Sequence, residues 1–357
     1  MTEQEVREAA LGGPSFASLP ETLGASVRWA AEALASAGID CAGREARRLV
    51  AEVLGEPALL IVTEPARALS AGERGNLHAA VCRRRAGEPL SRILGRREFY
   101  GSEFTVTPAT LDPRPDTECL VEAVLEVAAE SGLAGRPIRF IDIGTGTGCI
   151  AISLLRALPA ATALATDISA DALAVARGNA ERLGVADRFT TKLASVWQGV
   201  DGPFDFVVSN PPYIATGDIQ TLDRAVRDFD PLAALDGGPD GLTVYREICA
   251  GLETAGPGAW VAFELGAASA AAFEAEAVRR LLQPWAAGPI RSWRDLSGHT
   301  RCVAVQTRLT SAQQNVLAKG EDDATFTSGK SPACADVVDV KNIRSVDARH
   351  NDLAVFT

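Results

Sequence analysis

The stretch that most constrains the fold is "RFIDIGTGTGCIAISLL", Arg139 to Leu155. An apolar run leads through a glycine-rich turn into a second apolar run with helical spacing. A strand delivered into a helix across such a turn opens a doubly wound sheet, because parallel neighbours need a crossover and the helix supplies it. The pattern recurs downstream. Candidate strands lie at 138–142, 162–167, 188–193, 204–209, 259–264, 290–295 and 301–306, with helical stretches between most of them. This predicts an α/β chain with a mostly parallel, seven-stranded Rossmann-like sheet and helices on both faces. Only "LSGHT" joins the last two strands, too short for a crossover helix, so that pair is expected to be antiparallel, with the last strand reversed.

Upstream the period changes. Leu23, Val27, Ala31 and Leu34 share a helical face that stops at Gly38, and Ala46, Leu49, Val50, Val53 and Leu54 share another before Gly55. A third helix is predicted from about Ser70 to Ala86, with Ser70 as its cap. Residues 20–88 therefore read as a small all-α domain. The stretch "EFYGSEFTVTPATLDPRPDTE", Glu98 to Glu118, alternates around Gly101 and ends in prolines, which reads as a hairpin within a linker over 89–118. The sheet domain then spans 119–309. Residues 1–19 read as a loose leader, and the small, polar, mixed-charge segment 310–357 as a disordered tail.

Bulk charge narrows the partners. A formal charge of −11 without a dominant lysine or arginine block weighs against a protein built to grip nucleic acid, though a local patch is compatible with it. The seven cysteines are scattered singly, none in C-x-x-C spacing, and there are three histidines. No disulfide framework or metal site is expected, and the usage suits a reducing cytosol. The start "MTEQEVREAA" has no apolar core and reads as no signal peptide, and no apolar run approaches the roughly 18 residues of a membrane span. A cytoplasmic protein is expected, with no membrane partner.

The glycine turn sets the ligand class. Gly144, Gly146 and Gly148, interleaved with Thr145 and Thr147, let the backbone approach a ligand at the helix N-terminus. A dinucleotide fingerprint would put its third glycine at position 149, where this chain has Cys149. The G-x-G-x-G spacing favours a nucleoside without a pyrophosphate, such as S-adenosylmethionine, over NAD. A turn that merely packs strand on helix would use the same glycines. Asp167, ending the second strand, can accept bonds from ribose hydroxyls or cap the next helix. Trp197 can wall an adenine face or fill the core.

The fourth strand ends in "FDFVVSNPPYIATG", Phe204 to Gly217. Consecutive prolines fix their own φ and hold Asn210 and Pro211 extended, so the turn is stiff. In this sheet order the fourth strand lies beside the first, and Asn210 faces the cleft of the glycine turn. An amide or exocyclic amine nitrogen is a poor nucleophile because its lone pair is delocalised. Two acceptors, the Asn210 side-chain oxygen and the Pro211 carbonyl, can bind its hydrogens and turn it toward a methyl donor, while Tyr213 stacks on the planar group beside Pro212. Positioning and electrostatics would then carry catalysis. The alternative is a rigid turn without chemistry.

Several stretches together resemble the HemK-type methyltransferases, which act on the glutamine of peptide chain release factors. They are "RRRAGEPLSRILGRREFYG", "LDPRPDTECLVE", "IDIGTGTGCIAI", "VVSNPPYI", "DPLAALDGGPDGL" and "DLSGHTRCVAV", in order from Arg83 to Val305. The resemblance implies that the helical domain helps hold the protein substrate and that S-adenosylmethionine is the cofactor. It implies methylation of the side-chain amide nitrogen in the Gly-Gly-Gln loop of class I release factors; separately, a monomer is expected. Gly144 to Gly148, Asp167 and Trp197, with Asn210, look like the donor site; Asn210, Pro211, Pro212 and Tyr213 look like the glutamine site. Val196 departs from the aspartate common in relatives, and Arg92 from a tyrosine. The arginines Arg83, Arg84, Arg85, Arg92, Arg96 and Arg97 could meet an acidic partner face or pair locally with glutamates. Two other classes stay open: a methyltransferase acting on another planar nitrogen, in a ribosomal protein or a nucleic acid, and a non-catalytic binding module.

Overall fold

The computed structural model describes residues 19–266, 271–295 and 297–308. The expected leader, up to residue 18, and the expected tail lie outside the described residues.

The helical domain forms as its apolar stripes require. Helices α1 (Leu23–Ser36), α2 (Ala42–Leu54) and α4 (Ala71–Arg85) surround a core of Leu23, Leu34, Leu49, Val50, Leu77 and Val81. Gly55 closes α2 with φ +67°, and Ser70 caps α4 in a reciprocal box: its Oγ accepts from Glu73 N at 3.2 Å, and Glu73 Oε2 accepts from Ser70 N at 2.7 Å. Two short helices were not foreseen, α3 (Leu60–Thr63) and α5 (Leu90–Leu94), because four or five residues carry too little period to read. Leu90, Ile93 and Leu94 of α5 pack on the helical core.

Strands β1 (Arg96–Phe99) and β2 (Ser102–Thr105) make the hairpin, turning at Tyr100 and Gly101 with φ +48° and +67°, the mirror-image turn whose twist suits a two-residue hairpin. Asn179 on helix α8 (Ala170–Arg182) fastens it: Thr105 N donates to Asn179 Oδ1 at 2.8 Å, and Asn179 Nδ2 donates to Thr105 O and Thr147 O.

The sheet has the seven predicted strands: β3 (Arg139–Ile143), β4 (Thr162–Asp167), β5 (Phe189–Leu193), β6 (Phe206–Ser209), β7 (Trp260–Glu264), β8 (Arg291–Arg294) and β9 (Thr300–Gln306). Their order is β5-β4-β3-β6-β7-β9-β8, all parallel except β9, which is antiparallel to both its neighbours. Helices α6 (Glu118–Glu130), α7 (Cys149–Ala157) and α8 lie with one apolar core, and α9 (Thr243–Ala250) and α10 (Ala271–Leu282) with the other, so both faces are covered. The chain moves outward from β3 through β4 to β5, then returns to β6 on the other side of β3. The crevice beyond the carboxyl ends of β3 and β6 is where ligands bind in such sheets.

Candidate active site

The glycine turn opens at that crevice. Gly144 N and Thr145 N both donate to Thr166 O at 2.9 Å, and Thr145 Oγ1 donates to the buried Asp142 Oδ2 at 2.7 Å. Gly144, Gly146 and Gly148 take φ of +75°, +55° and +80°. Their reasons differ. A Cβ on Gly144 or Gly146 would meet no protein atom within 4 Å, whereas one on Gly148 would stand 2.8 Å from Ile152 Cδ1 and 3.3 Å from Ala176 Cβ. Gly148 therefore lets α7 pack on α8, and Gly144 and Gly146 border open space that a ligand can enter.

Asp167 closes one side. Its Oδ2 accepts from Gly146 N and its Oδ1 from Ser169 N, each at 2.9 Å, which leaves each oxygen a further lone pair. The cap of α8 is Ser169, whose Oγ accepts from Ala172 N at 3.1 Å, so the helix does not need Asp167 for that purpose. Ile168 and Leu193, 60% and 59% exposed, sit at the ends of β4 and β5, with Leu193 paired in register to Asp167. Neither was singled out from sequence: only the register brings Leu193 beside the carboxylate, and Ile168 is simply its next neighbour in the chain. Trp197 is half-buried: Nε1 donates to Ile248 O at 2.8 Å, and its ring lies where a Cβ on Gly251 would approach Cδ1 to 2.0 Å. Val196 before it has φ +47°, a rare conformation for a β-branched residue.

Asn210, Pro211, Pro212 and Tyr213 leave β6 next to the glycine turn. Ser209 Oγ donates to Ile143 O at 2.7 Å, and the β3–β6 register, continued two steps past Asp142↔Val208, sets Asn210 beside Gly144. The later glycines hold this backbone. Gly237 N donates to Ile214 O at 2.8 Å and Ile214 N to Leu235 O at 3.1 Å. A Cβ on Gly237 would lie 2.7 Å from Pro212 O, and one on Gly241 2.3 Å from Tyr213 O. The segment "DPLAALDGGPDGL" is thus a clasp that only glycine lets close. Asn210 Nδ2 donates to Thr117 Oγ1 at 3.4 Å, and Thr117 belongs to "PRPDTE". Behind both lies Glu264, 3% exposed, which in the sequence is one more polar residue ending a strand.

The arginines mostly pair within the protein. Arg83 binds Glu88 through two hydrogen bonds, at 2.7 and 2.5 Å, Arg84 pairs with Glu45 at 2.9 Å, and Arg96 pairs with Glu52. Arg92 is buried, donating to Thr107 O, Thr110 O and, at 2.6 Å, Asp230, which also binds Arg114 at 2.6 Å. Arg92 thus ties the helical domain to the segment that follows Tyr213.

Two family models match parts of the chain. Residues 26–95 match the family model described as the PrmC N-terminal domain, and residues 117–229 match the methyltransferase small domain. The release factor glutamine methyltransferase of Rhodospirillum rubrum is 40% identical over 299 residues, 83% of this chain and 89% of that one. The chain belongs to the release factor glutamine methyltransferase family. The namesake enzymes of Agrobacterium fabrum (43% identical, over 64% of this chain and 79% of that one) and Cereibacter sphaeroides (40%, over 79% and 97%) agree. The segments "PRPDTE" and "DLSGHTR" meet beside this turn: Arg301 binds Asp116 at 2.6 Å and Asp295 at 2.7 Å, and Thr117 of the first accepts from Asn210.

Proposed function

We propose that this protein methylates the side-chain amide nitrogen of the glutamine in the Gly-Gly-Gln motif of class I peptide chain release factors, with S-adenosylmethionine as donor. The observation that carries the reading is Asn210, whose amide nitrogen is committed to Thr117 while its turn borders the open side of Gly144 and Gly146. The open backbone at Gly144 and Gly146, held by Thr145, Thr147 and the packed Gly148, and the free lone pairs of Asp167 suit a nucleoside donor. Ile168 and Leu193 offer the adenine an apolar bed, and Trp197 with the left-handed Val196 shapes its edge. S-adenosylmethionine supplies a methyl group already activated by positive sulfur.

The chain's own residues do the rest. Asn210 Oδ1 and the Pro211 carbonyl accept the two hydrogens of the substrate amide, turning its nitrogen lone pair out of conjugation. Tyr213 and Pro212 hold the planar group from the side. Fixed dipoles and a near-attack geometry lower the barrier without a strong base. The released proton passes to solvent.

A whole release factor also needs a dock, and residues 20–88 provide it in this reading. Where that domain meets the linker, a cleft of about 540 Å³ is lined by Arg44, Arg48, Arg84, Arg97 and Arg114 against two carboxylates. Arg44 and Arg48 are exposed. The cleft suits an acidic segment of the substrate. Among the described residues, no helix is long and apolar enough to cross a membrane. We assign the protein to the cytoplasm as a monomer that does not bind nucleic acid directly.

The test is peptide mass spectrometry of a class I release factor incubated with the protein and S-adenosylmethionine, beside a Gln→Ala variant of its Gly-Gly-Gln loop. One added methyl on the glutamine, absent from the variant, is the expected result. An unmodified release factor with the donor shown to bind would refute the assignment and point to ribosomal proteins or nucleic-acid bases. Asn210→Ala should reduce kcat by about 100-fold or more with donor affinity unchanged, the scale of losing a group that contacts the reacting atoms.

A further inference from the structure

Glu264 is the last residue of β7, and the β6–β7 pairing runs from Phe206↔Trp260 to Ser209↔Phe263. The next step sets Glu264 beside Asn210, on the same side of the sheet. Its Oε2 is buried and makes no hydrogen bond. An unmade bond on a buried carboxyl is costly, so packing alone does not account for a glutamate here. Burial pushes the carboxyl up to about 8, against the opposing pull of the Thr117 hydroxyl, the Arg301 charge and the Asn210 amide. Of these neighbours Asn210 is the turn itself, and Thr117 accepts from its amide nitrogen. The backbone there is fixed as well, because Tyr245 Oη donates to Glu264 O at 2.7 Å.

A primary amide has a donor end and an acceptor end of nearly equal size, so something must decide which end faces the cleft. If Asn210 flipped, it would present N–H groups to the N–H groups of its substrate. We propose that Glu264, together with Thr117, is a positioning residue that accepts from the Asn210 amide nitrogen and so holds the Asn210 oxygen toward the substrate nitrogen. This rests on the role given to Asn210 above. Thr117 is itself held by its chain neighbour: Asp116 binds Arg301, which Asp295 holds from the other side while accepting from Ser297 N at 2.8 Å and His299 N at 2.9 Å. The "PRPDTE" and "DLSGHTR" segments and Glu264 form one support for a single amide.

The test compares Glu264→Gln, which keeps an acceptor oxygen, with Glu264→Met, which keeps the shape and removes it. Steady-state kinetics on a release factor, donor affinity by calorimetry and thermal melting are measured for each. Glu264→Gln should keep kcat within about threefold, and Glu264→Met should lower it at least about tenfold, the scale of one hydrogen bond. The KM for release factor and the donor Kd should stay unchanged. A wild-type kcat in Glu264→Met, or a Glu264→Gln variant as slow as Glu264→Met, overturns the proposal. If Glu264→Met fails to fold, Thr117→Val decides, with the same loss in kcat expected and a wild-type kcat again fatal. Asn210→Ala runs beside them: normal turnover there would refute the role of Asn210 itself, a different failure from that of Glu264.

Discussion

The glycine clasp over the Asn210 turn makes the sharpest prediction, that Gly241→Ala slows turnover about 100-fold while leaving a folded protein. Two penalties are separable there. Gly241 has φ +77°, and an L-residue in that region costs about 1–2 kcal/mol. The second penalty is steric: the new Cβ would lie 2.3 Å from Tyr213 O and 3.2 Å from its carbonyl carbon. A relaxed C···O contact is about 3.3–3.6 Å, so the Tyr213 carbonyl must move by about 1 Å. That carbonyl is two residues from the Pro211 acceptor, in a segment stiffened by prolines, so the displacement carries into the site. Misplacement of about 1 Å costs on the order of 100-fold in rate. Gly184→Ala is the control, with φ +73° and nothing within 4 Å of the added Cβ. Both variants should lose about 1–2 kcal/mol in urea unfolding from the φ penalty. Only Gly241→Ala should lose about 100-fold in kcat. A Gly241→Ala enzyme within threefold of wild type, or a Gly184→Ala enzyme equally slow, would refute the clasp.

Asp167→Ala should weaken S-adenosylmethionine binding at least about tenfold, as expected for bonds to a charged acceptor, and unchanged calorimetric affinity would remove the ribose contact. Arg92→Met strips Asp230 of one cation and leaves two carbonyls unmet, and removing a partner from a buried pair costs about 3 kcal/mol or more. Urea unfolding reads this directly, and a loss below about 1 kcal/mol would show that Arg114 suffices for Asp230. Glu264 gives a pH signature: its carboxyl is raised from 4.5 to about 8, so between those values the folded protein holds a proton the unfolded chain has lost. Stability from this group therefore declines as pH rises across that window. Glu264→Gln should flatten the decline, and an unchanged slope would mean that the carboxyl titrates normally. Reversing both exposed cleft charges, Arg44→Glu with Arg48→Glu, should raise the KM for release factor at low salt and leave kcat near wild type; an unmoved KM would exclude the cleft as a dock.

The order of elements was legible in the chain because each rests on local chemistry. Apolar period fixed the seven strands to within two residues at each end, Gly38 and Gly55 stopped helices where expected, and Ser70 capped one. The Gly144 turn and the Asn210 turn were legible for the same reason, since glycine and proline restrict the backbone whatever surrounds them. What the chain could not reveal is what each polar side chain would spend its bonds on. Arg92 looked like one of a basic cluster and is buried against Asp230, 138 residues away. Gly148 looked like a ligand-facing glycine and instead makes room for Ala176. Leu193 and Glu264 carried no signal at all, because a strand-end residue acquires a role only from the neighbour that register sets beside it. Backbone preference is written within a few residues, but hydrogen bonds, charge pairs and close contacts belong to segments far apart in sequence, and only folding brings them together.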